Sequence, residues 1–169
     1  MKLPTLLLFS GLLFFANTIT AQGKYAGTKK GLIGTTYTDI RNIEGLQGWQ
    51  FRQGSVITAM DDPEMIIVDV FQKGTTYIVY FSIKEDTASD EFVIMDVLEI
   101  KGVTKTQEVK TAFCRENKME NAGIVALVKP VHAEYVRALK AWHFNRDKRR
   151  IEIKTVSNID CLNEGFDQT

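Results

Sequence analysis

The reactive groups in this chain are few. Cys114 and Cys161 are its only thiols, and His132 and His143 its only imidazoles. Cysteine catalysis needs an exposed thiolate beside a base, so Cys114 with either histidine is the one constellation on offer. No signature surrounds Phe113-Cys114-Arg115. An even pair of cysteines in an exported chain reads as a disulfide, Cys114–Cys161. Such a bridge closes a loop of about 50 residues and contributes up to about 4 kcal/mol through chain entropy.

Serine nucleophiles sit on a strained G-x-S-x-G turn. Beyond the first 21 residues the serines are Ser55, Ser82, Ser89 and Ser157, and none has those neighbours. His132 and His143 form no metal-ligand motif. Asp61-Asp62-Pro63-Glu64 lacks the spaced ligands and the glycine of a calcium loop. Gly27, Gly31 and Gly34 match neither phosphate-binding pattern. The expectation is a chain with no metal, no cofactor and no catalytic residue. Asp69 and Asp96 are acids set within apolar runs. The favoured expectation is that both point outward on the mixed face; if instead they converge in a cleft they offer paired carboxylates, and burial would raise the pKa of Asp69. That is the basis of an alternative reading, a small extracytoplasmic hydrolase using acidic residues. The sequence Arg146-Asp147-Lys148-Arg149-Arg150 follows Trp142-His143-Phe144. Arginine and aromatic side chains dominate interface hot spots, so Trp142, Phe144, Arg146, Lys148 and Arg149 are the expected partner-binding residues.

The element that positions Asp69 is a hairpin. Two apolar runs, Glu64–Gln72 and Thr75–Lys84, are separated by Lys73-Gly74, and glycine in a two-residue loop suits a tight turn. With those two residues as the loop, Val70 faces Tyr77, Val68 faces Val79 and Ile66 faces Phe81. The other face pairs Asp69 with Ile78, Phe71 with Thr76, Ile67 with Tyr80 and Met65 with Ser82. The first face is wholly apolar, and the second is mixed and expected to meet partial cover or solvent. Glu91–Lys101 reads as a third strand beside Thr75–Lys84, completing a meander.

Elsewhere, Leu32–Thr38 reads as an edge strand, and Trp49–Phe51 and Ser55–Met60 as β-favouring runs with a bulge or turn at Gly54. Thr104 and Gln107 have the spacing of a capping box, which predicts a helix over Lys105–Arg115. Ala122–Lys129 reads as a buried strand. Val131, Tyr135, Leu139 and Trp142 fall at helical spacing, so Val131–Ala141 is expected to be helical, against a competing alternation. Arg150–Val156 alternates and pairs with Trp142–Asn145 through a turn at Arg146–Arg149. The tail after Cys161 is polar and mobile unless the disulfide pins it. The expected fold is α+β, mostly β: an antiparallel sheet with one or two short helices packed on it.

Residues 1–21 have a charged start, a short apolar middle and a small-residue end before Gln22, the pattern of a secretory signal peptide. Residues 22–31 read as a flexible lead-in and 32–169 as a single globular domain. Lysines and arginines number 21, as do acids, and Lys2 lies in the leader. A nearly neutral mature chain argues against nucleic acid as a partner, and no stretch is long enough for a transmembrane anchor. The expectation is an exported, soluble, non-enzymatic protein, periplasmic or extracellular, that binds a protein or a cell-envelope component.

Overall fold

The computed structural model describes residues 30–59, 61–84 and 89–166. The leader at 1–21 and positions 22–29 of the lead-in lie outside the described residues. Two single-turn 3-10 helices, Lys30–Leu32 and Ile40–Asn42, flank β1 (Thr36–Tyr37). Then come β2 (Gln50–Val56), β3 (Met65–Lys73), β4 (Thr76–Lys84), β5 (Phe92–Ile100), β6 (Glu108–Thr111) and β7 (Cys114–Glu116). After them follow β8 (Met119–Glu120), β9 (Ile124–Val128), β10 (Tyr135–Asn145), β11 (Arg150–Lys154) and β12 (Ile159–Leu162).

The β3–β4 hairpin forms, with its turn one residue later than expected. Lys73 pairs with Thr76, leaving Gly74-Thr75 as the loop. Gly74 has φ +60°, and a glycine with positive φ at the first loop position is the mark of a type II′ turn. The pairing therefore moves by two residues. Val70 faces Val79, Val68 faces Phe81, Ile66 faces Ile83, and Asp69 faces Tyr80 instead of Ile78. An even shift keeps each side chain on its predicted face. The first sheet runs β1-β5-β4-β3-β2, antiparallel throughout. The bulge expected at Gly54 lies at Arg52, between the Phe51–Phe71 and Gln53–Val70 pairs.

Both faces of this sheet are covered. Ile66, Val68, Val70, Val79, Phe81 and Ile83 pack against Val125, Leu127 and Phe144 of the second sheet. The opposite face, expected to be partly open, carries Phe71, Ile78, Tyr80, Ile94 and Val97 beneath Tyr37, Ile40, Ile43 and Leu46. The segment from the first 3-10 turn to Trp49 thus forms a third layer in the place assigned to helices. No α-helix occurs among the described residues.

The second sheet is built on β10. One edge of β10 pairs with β9, and the other pairs with β12 near its start and β11 near its end. The β10–β11 hairpin has the predicted turn, with Asn145 opposite Arg150. β9, the predicted buried strand, is buried at all five residues. Its Ile124, Ala126 and Val128 share a cluster with Cys114, Val136, Ala138, Ala141, Ile159 and Cys161. β7 is three places from β9 in the hydrogen-bonded order, so the sheet curls until the two meet. The alanines inside the curl permit that close approach.

Two predicted helices are strands. The Thr104–Gln107 motif does close: the Thr104 N–H donates to the Gln107 side-chain oxygen at 3.0 Å, and the Gln107 N–H donates to the Thr104 carbonyl at 3.0 Å. The result is a turn, and the β-branched Val109 and Thr111 then pair with Leu127 and Val125 on the edge of β9. Over Val131–Ala141 the helical spacing arises from a bulge. Ala138 pairs with Val128 and Lys140 with Leu127, so Leu139 is the extra residue. A bulge shifts the alternation by one position, and Val136, Ala138 and Ala141 come to share one face.

The tail is held through residue 166. Cys161 lies directly opposite Cys114 on paired strands, and the predicted disulfide is present. The Asn163 side chain donates to the carbonyls of Val131 and Ala133, both at 3.0 Å. Replacing both cysteines by alanine should lower stability by up to about 4 kcal/mol. Denaturant unfolding measures this, and an unchanged midpoint would show that the β7–β12 pair holds without the bond.

Candidate functional site

Strand alternation puts Asp69 on the face of Ile67 and Phe71, beneath the 30–49 layer. Gly54 lies opposite it on β2 and Tyr80 on β4. The glycine is a spatial requirement, since a Cβ there would stand 2.7 Å from Asp69 Oδ1 and 3.1 Å from the Phe51 ring. Asp69 is 6% exposed. Its Oδ2 and the hydroxyls of Tyr37, Tyr80 and Ser82 are buried and make no hydrogen bond of good geometry, though the Tyr37 hydroxyl stands close enough to interact weakly with both Asp69 and Ser82. Burial pushes the Asp69 carboxyl up to about 6. The neighbouring Tyr37 hydroxyl pulls the other way, and the negative charge of Asp39 adds to the rise. Burial also raises the Tyr37 and Tyr80 hydroxyls above the ordinary tyrosine value.

Above this polar floor is a cleft of about 460 Å³. Tyr37, Phe51 and Phe92 give it aromatic walls, with Ile40 and Ile67 between them. Tyr37 stacks on Phe92 at 5.8 Å, and Phe51 meets Phe71 edge-on at 5.3 Å. Asp39 and Arg41 stand at the rim. They satisfy each other through Arg41 Nε to Asp39 Oδ1 at 2.9 Å and Nη2 to Oδ2 at 2.7 Å. That pairing holds the Asp39 carboxyl down to about 2.

Asp96 is elsewhere. It faces Phe81, a residue of the core between the sheets, whereas Asp69 faces Tyr80 in the other cluster. Asp96 Oδ2 accepts the Ile151 N–H at 2.7 Å and Oδ1 accepts the Val97 N–H at 2.8 Å. It joins β5 to β11, and the two carboxylates do not converge.

The basic turn is also engaged within the molecule. Arg146 forms a two-pronged pair with Asp62, both contacts at 2.7 Å, and this holds the Asp62 carboxyl below its ordinary range. Arg149 reaches Glu64 at 3.0 Å and Lys148 reaches Glu152 at 3.0 Å. Trp142 is half-buried against the core between the sheets. Phe144 is 2% exposed and stacks on Phe81 with centroids 4.7 Å apart, so its ring belongs to the core. A second cleft, of about 570 Å³, lies where His143, Phe144 and Arg146 meet Gly123 and Ile57. Burial lowers the pKa of His143 there.

Tyr37, Phe51 and Phe92 were not among the residues expected at a site. Only Gly54 carried a signal, since glycine within a strand marks close approach by another group.

No family model, curated protein or solved structure matches this chain. The chemistry of the Asp69 cleft therefore bears the functional reading.

Asp69 titrates near 3.8 in the unfolded chain and near 6 when folded. The folded state holds the proton more tightly, so the carboxylate opposes folding increasingly as pH rises through that window. Its full cost, about 3 kcal/mol, is present above the folded value. Asp69→Asn should therefore be more stable than the parent at about pH 8 and close to it at about pH 4, as measured by denaturant unfolding at both. A pH-independent difference would show that Asp69 is not desolvated. Gly54→Ala should cost about 1–3 kcal/mol by overpacking. Asp69→Ala in the same chain should recover most of that loss, because the clash is with Oδ1. Additive effects in this double-mutant cycle would contradict the contact.

Proposed function

We propose that the chain is an exported, non-enzymatic binding protein, and that the cleft over Asp69 is where it receives its ligand or the exposed group of a cell-envelope partner. One observation carries the reading: a buried carboxyl with no cationic partner among the described residues, lining a cleft with aromatic walls. Burying a carboxylate without a counterion is unfavourable, and a ligand that brings a donor to it offsets that cost. Small-molecule sites are concave and largely apolar, with few placed polar groups, and span roughly 300–1,000 Å³. This cleft, of about 460 Å³ and open to solvent on one side, falls within that size range, with aromatic and aliphatic walls beside a few polar groups.

The disulfide supports the exported half of the reading, because such bonds persist in oxidising compartments. Trp142, Arg146, Lys148 and Arg149 remain a proposed partner surface. The cleft is the better-supported site: a partner at the basic turn competes with Asp62, Glu64 and Glu152 for cations already paired. The hydrolase reading keeps one supporting observation, the Asp69 carboxyl near 6, a value suited to general acid–base work. Its proposed partner acid, Asp96, is on the other face of the sheet.

Native mass spectrometry of the protein from the extracytoplasmic fraction tests both parts. The expected result is a chain starting at Gln22 with no free thiol, forming a one-to-one small-molecule adduct that Phe51→Ala loses. Retention of residues 1–21, or no adduct across a panel of cations, anions and neutral solutes, would contradict the proposal.

A further inference from the structure

We infer that the cleft is selective for an organic ammonium group, held between the Asp69 carboxylate and the aromatic faces of Tyr37, Phe51 and Phe92. The inference rests on the cleft being the ligand site and adds the chemistry of what enters it.

The argument begins with charge. The cleft has three ionisable side chains besides Tyr37, namely Asp39, Arg41 and Asp69. Arg41 and Asp39 cancel through two short contacts, and no salt bridge pairs Asp69 among the described residues. The cleft thus presents one uncompensated negative charge at its floor. An anion would be repelled. A neutral ligand would leave a desolvated charge without a counterion.

Hydrogen-bonding capacity narrows the choice. Asp69 lines the cleft, and the group nearest its carboxyl is the Tyr37 hydroxyl, which it shares with Ser82. An alkylammonium has three donors and no acceptor, and an ionised carboxylate has acceptors only, so the two match. A divalent metal would need several oxygen ligands, and the second carboxylate of the cleft is already held on both oxygens by Arg41. The walls favour the same class. Aromatic faces attract cations, and they do so more strongly where water is excluded. The Phe92 ring already meets one ammonium, Lys84 Nζ, 5.9 Å from its centroid, and Lys84 is not a lining residue of the cleft.

An isosteric series separates charge from shape. The intact disulfide-bonded protein is titrated at neutral pH with n-butylammonium, n-butanol and butyrate, followed by backbone amide NMR. Butylammonium should give saturable shifts at Tyr37–Arg41, Asp69 and Phe92, with butanol and butyrate at least about tenfold weaker. Asp69→Asn should abolish that preference. Phe51→Leu, at a half-exposed position, should weaken butylammonium alone. Equal binding of butanol or butyrate overturns the cation inference while leaving the cleft as a ligand site. Saturable shifts confined to other surfaces, or none with butylammonium, also overturn it. The adduct experiment above decides separately whether the cleft is a ligand site at all.

Discussion

Burial of the β3–β4 hairpin on both faces is the constraint on which the rest of this molecule depends. Ile66, Val68 and Val70 alternate with Ile67, Asp69 and Phe71, and across the ladder Val79, Phe81 and Ile83 alternate with Ile78, Tyr80 and Ser82. A strand apolar on both sides is stable only when each side is removed from water, and each buried aliphatic or aromatic side chain is worth about 1.5–3 kcal/mol. One side is closed by the second sheet. The other is closed by a segment with almost no regular structure, which contributes Tyr37, Ile40, Ile43 and Leu46. The three layers follow from the hairpin's composition.

That second closure creates the site. Asp69, Tyr37, Tyr80 and Ser82 bring polar atoms into a region otherwise filled by apolar rings, and among them only the Tyr37 hydroxyl stands near enough to interact weakly with Asp69 and Ser82. Buried polar groups in folded proteins are nearly always satisfied, and exceptions call for an explanation. Here β2 has given up a side chain at Gly54 to make room for the carboxylate. The arrangement therefore has a cost in both desolvation and packing.

The remaining elements lock the layers together. The stacked Phe81 and Phe144 rings cross the interface between the sheets. The Asp96 carboxylate bonds the backbone of β11. Arg146 and Arg149 tie the β10–β11 turn to Asp62 and Glu64 ahead of β3. On the far side, the disulfide joins β7 to β12 where the second sheet curls over itself. Of the residues that looked most like an interface in sequence, Trp142, Phe144, Arg146 and Arg149 thus contact the other sheet or the segment leading into it.

Sequence alone determined what depends on short-range pattern. The apolar runs of β3 and β4 marked a hairpin and its two faces, composition marked β5, alternation marked β11, the run at Ala122–Lys129 marked a buried strand, and a lone pair of cysteines marked their own bond. The β3–β4 faces survived a turn misplaced by one residue, because the side-chain period of two makes the resulting shift harmless. What only the tertiary structure decided is whatever depends on a distant neighbour. The capping motif at Thr104 ended in a turn because the edge of β9 was there to pair with Val109 and Thr111. Leu139 became a bulge because β9 set the register on both sides of it. The mixed face of the hairpin became a buried carboxylate site because residues 30–49 came to lie over it. A chain encodes its local torsions residue by residue, but burial is a property of two surfaces, and the second surface is supplied from elsewhere in the chain.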